Sequence, residues 1–210
     1  MANLQAIADA LIKGDRNTVV ELTKKALAEK VSSAEILQKG LIAGMSVVGE
    51  RFKKNEVYVP EVLIAARAMH GALAVLEPAL KASGVKPVGT VVLGTVKGDL
   101  HDIGKNLVGM MLQGGGLKVV DVGTDAAPEK FIQAAKDSGA QIIALSALLT
   151  TTMPQMSVVV KAVKDAGMKV KTMIGGAPVT QAYANEIGAD GYAPDAASAV
   201  DTAMALLKKV

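Results

Sequence analysis

Apolar residues recur at helical spacing throughout residues 1–83. The first stripe ends at Gly14–Asp15, a second helix is predicted from Arg16 to Lys30, and the last begins at Pro60, a residue that suits a first helical turn. Four amphipathic segments with short connections predict a small antiparallel four-helix bundle. The apolar faces predicted for the first, third and fourth helices are Leu4, Ile7 and Leu11; Leu37, Leu41, Met45, Val48 and Phe52; and Val62, Ala66, Met69, Leu73, Leu76 and Leu80.

After a predicted linker at residues 84–89, short apolar runs alternate with helical patterns. Five strand–helix units in residues 90–210 predict an α/β domain, a parallel sheet with helices on both faces. Its length suits the flavodoxin-like (Rossmann-like) strand order 2-1-3-4-5, in which a ligand binds outside the carboxyl ends of strands 1 and 3. The predicted strands are 90–96, 117–123, 140–147, 168–176 and 189–193, with helices ending near 113, starting at 128, after 154 and after 178, and spanning 195–209.

The composition narrows the class of protein. Hydrophobic residues make up 50% of the chain and aromatic residues 2%, so the core must be built from aliphatic side chains and methionine. The net charge is only +3 and the lysines are scattered, so nucleic-acid binding is not expected. The lack of Cys excludes disulfides and fits a reducing cytoplasm. With neither a signal peptide nor an apolar run approaching roughly 18 residues, we expect a cytoplasmic protein that does not enter membranes.

Small and polar residues follow three of the predicted strands where each strand ends. They are "GDLHDIG" at residues 98–104, "SALLTTT" at 146–152 and "GG" at 175–176. Because the carboxyl ends of parallel strands lie at one edge of a sheet, these stretches should meet and form a site. His101, one of two histidines in the chain, lies in the first stretch between two aspartates.

The residues alone leave several roles open for His101. It can cap the following helix as an ordinary loop residue, or face a phosphate, although the loop is neither G-x-G-x-x-G nor a Walker sequence. A response-regulator phosphoacceptor site matches less well, because Ser146 stands where an aspartate would follow strand 3. One histidine cannot hold a bare zinc ion. It can supply one axial bond to a metal held by a macrocycle, with Asp99 accepting the other ring N–H.

The same stretches resemble a known set of motifs. "GDLHDIGKNL" is similar to the D-x-H-x-x-G signature of proteins that bind cobalamin in its base-off, His-on form, and the companion S-x-L and G-G motifs follow strands 3 and 4. Residues 47–69 resemble the helical cap of methionine synthase and of the small corrinoid proteins of methanol and methylamine methyltransferase systems, so the resemblance covers nearly the whole chain. The motif positions are Asp99, His101 and Gly104; Ser146, Ala147 and Leu148; and Gly175 and Gly176.

The resemblance implies roles for individual residues. His101 would be the lower axial ligand of cobalt, in place of the dimethylbenzimidazole of the cofactor, with Asp99 bonded to its imidazole and Thr152 continuing that relay. Ser146 and Thr150 would contact the nucleotide tail, for which the motif glycines leave room. The cap residues implied to face the upper side of the corrin are Phe52, Val59 and Val62. The other implied cofactor-binding residues are Gly98, Leu100, Asp102, Gly104, Leu148, Gly175, Gly176 and Ala196, and no residue is implied to be catalytic.

The implied function is that of a corrinoid protein that carries a methyl group on cobalt, alternating between methylcob(III)alamin and cob(I)alamin. Such a chain is a carrier subunit. It serves a substrate-specific methyltransferase and a second methyltransferase acting on a thiol or tetrahydrofolate, with a reductive activation protein as a further partner. The alternatives are a cobalamin-binding sensor or mutase-type subunit and, outside cobalamin proteins, a flavodoxin-like interaction domain without a cofactor.

Overall fold

The computed structural model describes residues 3–209 and divides into two compact units. The first contains the residues up to Pro87 together with Gly114–Gly116, and the second contains Val88–Gln113 and the residues from Leu117 onward. The division after Pro87 falls within the predicted linker. The helical unit comprises α1 (Leu4–Ile12), α2 (Arg16–Ala28), α3 (Ser33–Glu35), a π-helical segment (Ile36–Ile42), α4 (Ala43–Lys53) and α5 (Val59–Ala82).

The third predicted helix contains a π-helical segment that the sequence pattern did not indicate. The backbone stays helical through both junctions, so α3, this segment and α4 form one continuous helix. A π turn holds more residues than an α turn, so the buried positions shift. Ile36 and Leu41 are fully buried, five residues apart, whereas Leu37, predicted for this face, is only half-buried.

Helix α5 is long and apolar enough to cross a membrane by length and composition alone, contrary to the expectation drawn from the sequence. Core helices of soluble proteins meet the same criterion. Its apolar character comes mainly from alanine and leucine, and part of its surface packs against α2 and α4. The buried residues of α5 are Val62, Ala65, Ala66, Ala68, Met69, Ala72 and Leu76, while the predicted Leu73 and Leu80 are half-buried.

The second unit is a five-stranded parallel sheet in the order β2-β1-β3-β4-β5, as predicted. Two apolar clusters cover its two faces. All five strands are shorter than the apolar runs that predicted them, because the ends of those runs lie in the adjoining turns. The elements are β1 (Thr90–Thr95), α6 (Ile103–Gly114), β2 (Lys118–Asp121), α7 (Pro128–Ser138), β3 (Ile142–Ser146), α8 (Pro154–Asp165), β4 (Lys171–Gly175), α9 (Gln181–Ile187), β5 (Gly191–Ala193) and α10 (Ala196–Leu207).

The strand register aligns the ends of four strands in one row. Thr95 of β1 pairs with Ser146 of β3, Ser146 pairs with Gly175 of β4, and Gly175 pairs with Ala193 of β5. The three loops that contain the sequence motifs therefore leave the sheet side by side, on either side of the point where the strand order reverses between β1 and β3.

Candidate functional site

The carboxylate of Asp99 is the centre of this edge of the sheet. Its side chain is fully buried, and both oxygens accept hydrogen bonds. Oδ1 accepts from the backbone N–H of His101 at 3.1 Å, and Oδ2 accepts from the backbone N–H groups of Leu148 at 2.8 Å and Leu149 at 3.3 Å and from Thr152 Oγ1 at 2.7 Å. The carboxylate thus joins the loop after β1 to the loop after β3.

Burial and hydrogen bonding act in opposite directions on the pKa of Asp99. Burial raises the pKa of this carboxyl, but the hydrogen bonds from Thr152, Leu148 and His101 together outweigh burial and hold the pKa well below its usual range. Asp99 is therefore ionised at neutral pH. An ionised carboxylate can only accept hydrogen bonds, and this fixes the direction of every bond that it makes.

The imidazole of His101 is oriented by this carboxylate. Nδ1 lies 2.7 Å from Asp99 Oδ1, and half of the His101 side chain is exposed. Since Asp99 is an acceptor, Nδ1 carries the proton of this hydrogen bond. In the neutral imidazole the lone pair is then on Nε2, the nitrogen that faces away from Asp99 and is available to a metal.

Apolar residues around His101 are unusually exposed. Leu100, next to the histidine, is 74% exposed, and Ile103, the first residue of α6, is 78% exposed, while Leu148 and Leu149 of the neighbouring loop are 44% and 42% exposed. Exposed apolar patches of this kind are typical of binding surfaces. A half-exposed nitrogen ligand within an apolar surface is suited to a large, partly apolar ring that already holds its metal. Within residues 3–209, no group of three or more His, Asp or Glu side chains could hold a metal ion by itself.

Comparison with known proteins identifies the family. The chain matches a family described as B12 binding domain over residues 89–201, and a second family of the same description over residues 4–77. A corrinoid protein from Desulfitobacterium hafniense (strain Y51) is 42% identical over 214 residues, covering 100% of this chain and 99% of its own length. The dimethylamine corrinoid protein of Methanosarcina barkeri is 46% identical over 208 residues, covering 97% of each chain. This chain belongs to the B12-binding corrinoid proteins.

Solved structures show the same architecture. A cobalamin-binding protein from Desulfitobacterium hafniense DCB-2 superposes with a TM-score of 0.82 at 31% identity, covering 98% of this corrinoid protein and 99% of the other chain. A chain of the methanol:cobalamin methyltransferase complex from Methanosarcina barkeri superposes with a TM-score of 0.86 at 30% identity, covering 99% of this chain and 80% of its own. The predicted fold class is thereby confirmed, as is the family resemblance.

The glycines of the corrinoid protein's motifs differ in what they do. A Cβ added at Gly104 would meet no protein atom within 4 Å, so the space beside the first turn of α6 is open to a ligand. A Cβ at Gly176 would lie 1.9 Å from the carbonyl oxygen of Ala147, and Gly176 has φ of +138°. Gly176 is therefore required by the protein's own packing. Room for a nucleotide tail is not needed to explain this glycine.

The other predicted site residues divide by their exposure. Ser146 is half-buried and Thr150 is exposed, so both have surface to offer a ligand. Ala196 is only 5% exposed at the start of α10. In the helical unit, Phe52 and Val59 are half-buried, whereas Val62 is fully buried and would need another conformation to touch a ligand. The cofactor contacts of these residues stay predictions.

Asp102 stabilises the start of α6. Its backbone carbonyl accepts from Asn106 N at 2.7 Å, and its Oδ2 accepts from Asn106 Nδ2 at 3.1 Å. A carboxylate at this position also interacts favourably with the positive end of the helix dipole. The side chain of Asp102 accepts from a side-chain amide of α6, so no contact with a ligand is needed to explain the aspartate at this position.

Sequence reasoning missed three polar residues that support the site. Thr95, which is fully buried, donates from Oγ1 to the carbonyl of His101 at 2.8 Å. Lys105 is 3% exposed and pairs with Asp121 at the end of β2. Asp125 bonds to the loop that contains His101. None of the three belongs to the motif positions, and the partners of Lys105 and Asp125 become neighbours only when the sheet forms.

Replacing Thr152 with Val should lower the free energy of unfolding by about 1–2 kcal/mol. Valine keeps the shape of threonine but removes the hydroxyl that donates to the buried Asp99 carboxylate at 2.7 Å. Urea unfolding of the corrinoid-free protein measures the change. The matched control is Thr151→Val, because Thr151 is an exposed neighbour, and we expect it to change stability by less than about 0.5 kcal/mol. Equal effects of the two substitutions would show that the Thr152 hydroxyl contributes nothing to the relay.

Proposed function

We propose that this corrinoid protein binds its corrinoid base-off and His-on, with His101 Nε2 as the lower axial ligand. The observation that carries the proposal is the hydrogen bond of 2.7 Å from His101 Nδ1 to the buried carboxylate of Asp99. This contact selects the imidazole tautomer whose Nε2 lone pair is free. It also holds the ring in one orientation, while half of the His101 side chain stays exposed. Carboxylates that accept a hydrogen bond from the non-bonding ring nitrogen orient histidine ligands in many metal sites.

We propose that Asp99 and Thr152 keep His101 in place both when its imidazole is bonded to cobalt and when it is not. When bound, the corrinoid supplies the cobalt that accepts and releases the methyl group. The carboxylate of Asp99 keeps its hydrogen bond to Nδ1 whether or not Nε2 is bonded to cobalt, so the imidazole stays oriented in both states. Thr152 and the N–H groups of Leu148 and Leu149 keep the second carboxylate oxygen in place in both states.

We further propose that the methyl group passes between two enzymes. The first is a substrate-specific methyltransferase acting on a methylated amine or methanol, and the second transfers the methyl group to a thiol or tetrahydrofolate, with a reductive activation protein restoring the carrier in the cytoplasm. The first partner is supported by the relatives named dimethylamine and trimethylamine corrinoid proteins, at 42–46% identity, and by the similar chain in the methanol:cobalamin methyltransferase complex.

Further contacts are proposed from the exposure of the residues concerned. Ser146 and Thr150 offer hydroxyls to the nucleotide tail beside the open space at Gly104. Phe52 and Val59 offer apolar surface to the methyl-bearing side. Leu148, in the loop after β3, offers an exposed apolar side chain to the corrinoid, while its backbone N–H donates to Asp99.

The carrier proposal is tested by reconstitution and methyl transfer. The protein mixed with methylcobalamin should retain the corrinoid through gel filtration, and it should lose the methyl group to a thiol or to tetrahydrofolate when the matching methyltransferase is added. His101→Ala should bind corrinoid more weakly but still detectably, because the apolar surface and the open space remain. Retention of corrinoid without transfer to either acceptor, in the presence of active partner enzymes, would favour the sensor or mutase-type alternative.

A further inference from the structure

Asp125 connects the loop after β2 to the loop that contains His101. Its Oδ1 accepts from the backbone N–H of Gly98 at 2.7 Å, and its own backbone N–H donates to the carbonyl of Asp99 at 3.0 Å. The two bonds hold the N–H group of Gly98 and the carbonyl group of Asp99, at the two ends of this dipeptide. Asp125 itself has φ of +49°, in the left-handed region that aspartate tolerates better than most residues.

The loop with His101 depends on hydrogen bonds for its conformation. Gly98 has φ of +82°, and the four residues that follow Asp99 are all exposed, so core packing contributes little to holding them. Besides the bonds of the Asp99 carboxylate to the loop after β3, the loop is held by Asp99 N to Val96 O at 3.1 Å, Thr95 Oγ1 to His101 O at 2.8 Å, and the two bonds of Asp125. Among these further contributors, Asp125 is the residue that comes from another loop of the sheet edge.

We propose that Asp125 is a positioning residue for His101: it holds the backbone in the conformation in which Asp99 and the imidazole meet. The inference rests on the proposed function, in which His101 binds cobalt. A loop held in its bound conformation loses less conformational freedom when the ligand binds. Without the carboxylate of Asp125, the loop would populate other conformations, and the bond from His101 to cobalt would form less readily.

Two substitutions separate the side-chain contact from backbone strain. Asp125→Gly adopts a positive φ without strain but removes the acceptor for Gly98 N–H. Asp125→Asn tolerates the same φ and keeps a side-chain oxygen at the same distance. If the contact matters, the glycine variant should weaken histidine ligation and the asparagine variant should restore it.

The midpoint potential of the Co(II)/Co(I) couple in the cobalamin-loaded protein measures the strength of ligation. Co(II) takes the axial nitrogen and four-coordinate Co(I) does not, so weaker histidine binding raises the potential. We expect Asp125→Gly to weaken ligation about tenfold, which raises the potential of this one-electron couple by about 59 mV. Asp125→Asn should stay within about a third of that shift of the natural protein. In the loaded protein, the Gly98 amide should lose protection from hydrogen exchange only in the glycine variant.

Asp15→Gly is the matched control, because Asp15 Oδ1 accepts from Thr18 N at 3.1 Å in the helical unit. It should lower stability without moving the potential. The inference is overturned if Asp125→Gly leaves the potential unchanged, or if Asp125→Asn shifts it as far as glycine does. The proposed function survives either result, provided that the Co(II) spectrum of the natural protein contains histidine nitrogen. If that spectrum lacks histidine nitrogen, the ligand assignment is wrong and the role of Asp125 falls with it.

Discussion

Replacing Asp99 with Asn is expected to lower the free energy of unfolding by about 2–4 kcal/mol. Asparagine has the shape of aspartate, but its NH₂ group would face donors in place of an acceptor oxygen. The backbone N–H groups of Leu148 and Leu149 and the hydroxyl of Thr152 would then lose a shared partner inside the protein. Urea unfolding of the corrinoid-free protein measures the loss.

The pH dependence of this difference follows from the depressed pKa of Asp99. A carboxyl whose folded pKa lies below its unfolded value stabilises the protein above the unfolded pKa, and this stabilisation disappears as the pH falls through the folded pKa. The unfolded value for aspartate is about 3.9, and burial of Asp99 is outweighed by hydrogen bonds that keep its folded pKa well below this. The stability difference between the natural protein and Asp99→Asn should therefore be constant from neutral pH to about pH 5 and shrink in more acidic solution.

His101→Ala is the control that separates the two carboxylate oxygens. It removes the imidazole from Oδ1 but leaves the three donors on Oδ2 in place, so it should cost clearly less stability than Asp99→Asn. A smaller loss in Asp99→Asn than in His101→Ala would contradict the view that the carboxylate joins the loops after β1 and β3.

Replacing Gly176 with Ala is expected to destabilise the protein by about 3 kcal/mol or more. The added Cβ would lie 1.9 Å from the carbonyl oxygen of Ala147, and the backbone φ of +138° is one that residues with a side chain rarely adopt. Either the loop after β4 or the loop after β3 would have to move. Thermal or urea unfolding measures the loss, and moving the loop after β3 would also disturb the N–H groups that hold Asp99.

Two other glycines separate the contributions to this effect. Gly139 has φ of +62° at the end of α7, with no atom within 4 Å of an added Cβ, so Gly139→Ala isolates backbone strain and should cost about 1–2 kcal/mol. Gly104 has the same open space without a positive φ. Gly104→Ala should leave stability nearly unchanged and weaken corrinoid binding. Equal losses for Gly176→Ala and Gly139→Ala would show that the contact with Ala147 is easily relieved.

The sheet and its order could be predicted from the sequence because each unit shows a local pattern. An apolar run followed by an amphipathic helix requires a crossover to a parallel strand, and five such units leave few topologies. The motifs then fell at one edge because every strand of a parallel sheet ends on the same side. The contact between Asp99 and His101 could be predicted because their motif is contiguous, and the contact between Thr152 and Asp99 because the family resemblance supplied it.

Long-range backbone contacts could not be predicted in the same way. Asp125 and Gly98 are separated by 27 positions. Aspartate is common in turns, so its presence in a polar loop does not indicate which residue it bonds to. The π-helical segment was equally hidden, since Ile36 and Leu37 are both apolar and spacing alone cannot decide which one is buried. Gly176 illustrates a third limit: a glycine within a motif can be required by a close backbone approach that only coordinates reveal.

The measurement that tests the central claim most directly is the EPR spectrum of the cob(II)alamin-loaded protein prepared with ¹⁵N-labelled histidine. If His101 is the lower axial ligand, the superhyperfine splitting should change from the triplet of ¹⁴N to the doublet of ¹⁵N on labelling, and His101→Ala should lack the doublet. A triplet that persists in the labelled protein would mean that the dimethylbenzimidazole of the cofactor still binds cobalt. That result would contradict the assignment of His101, and with it the role given to Asp99.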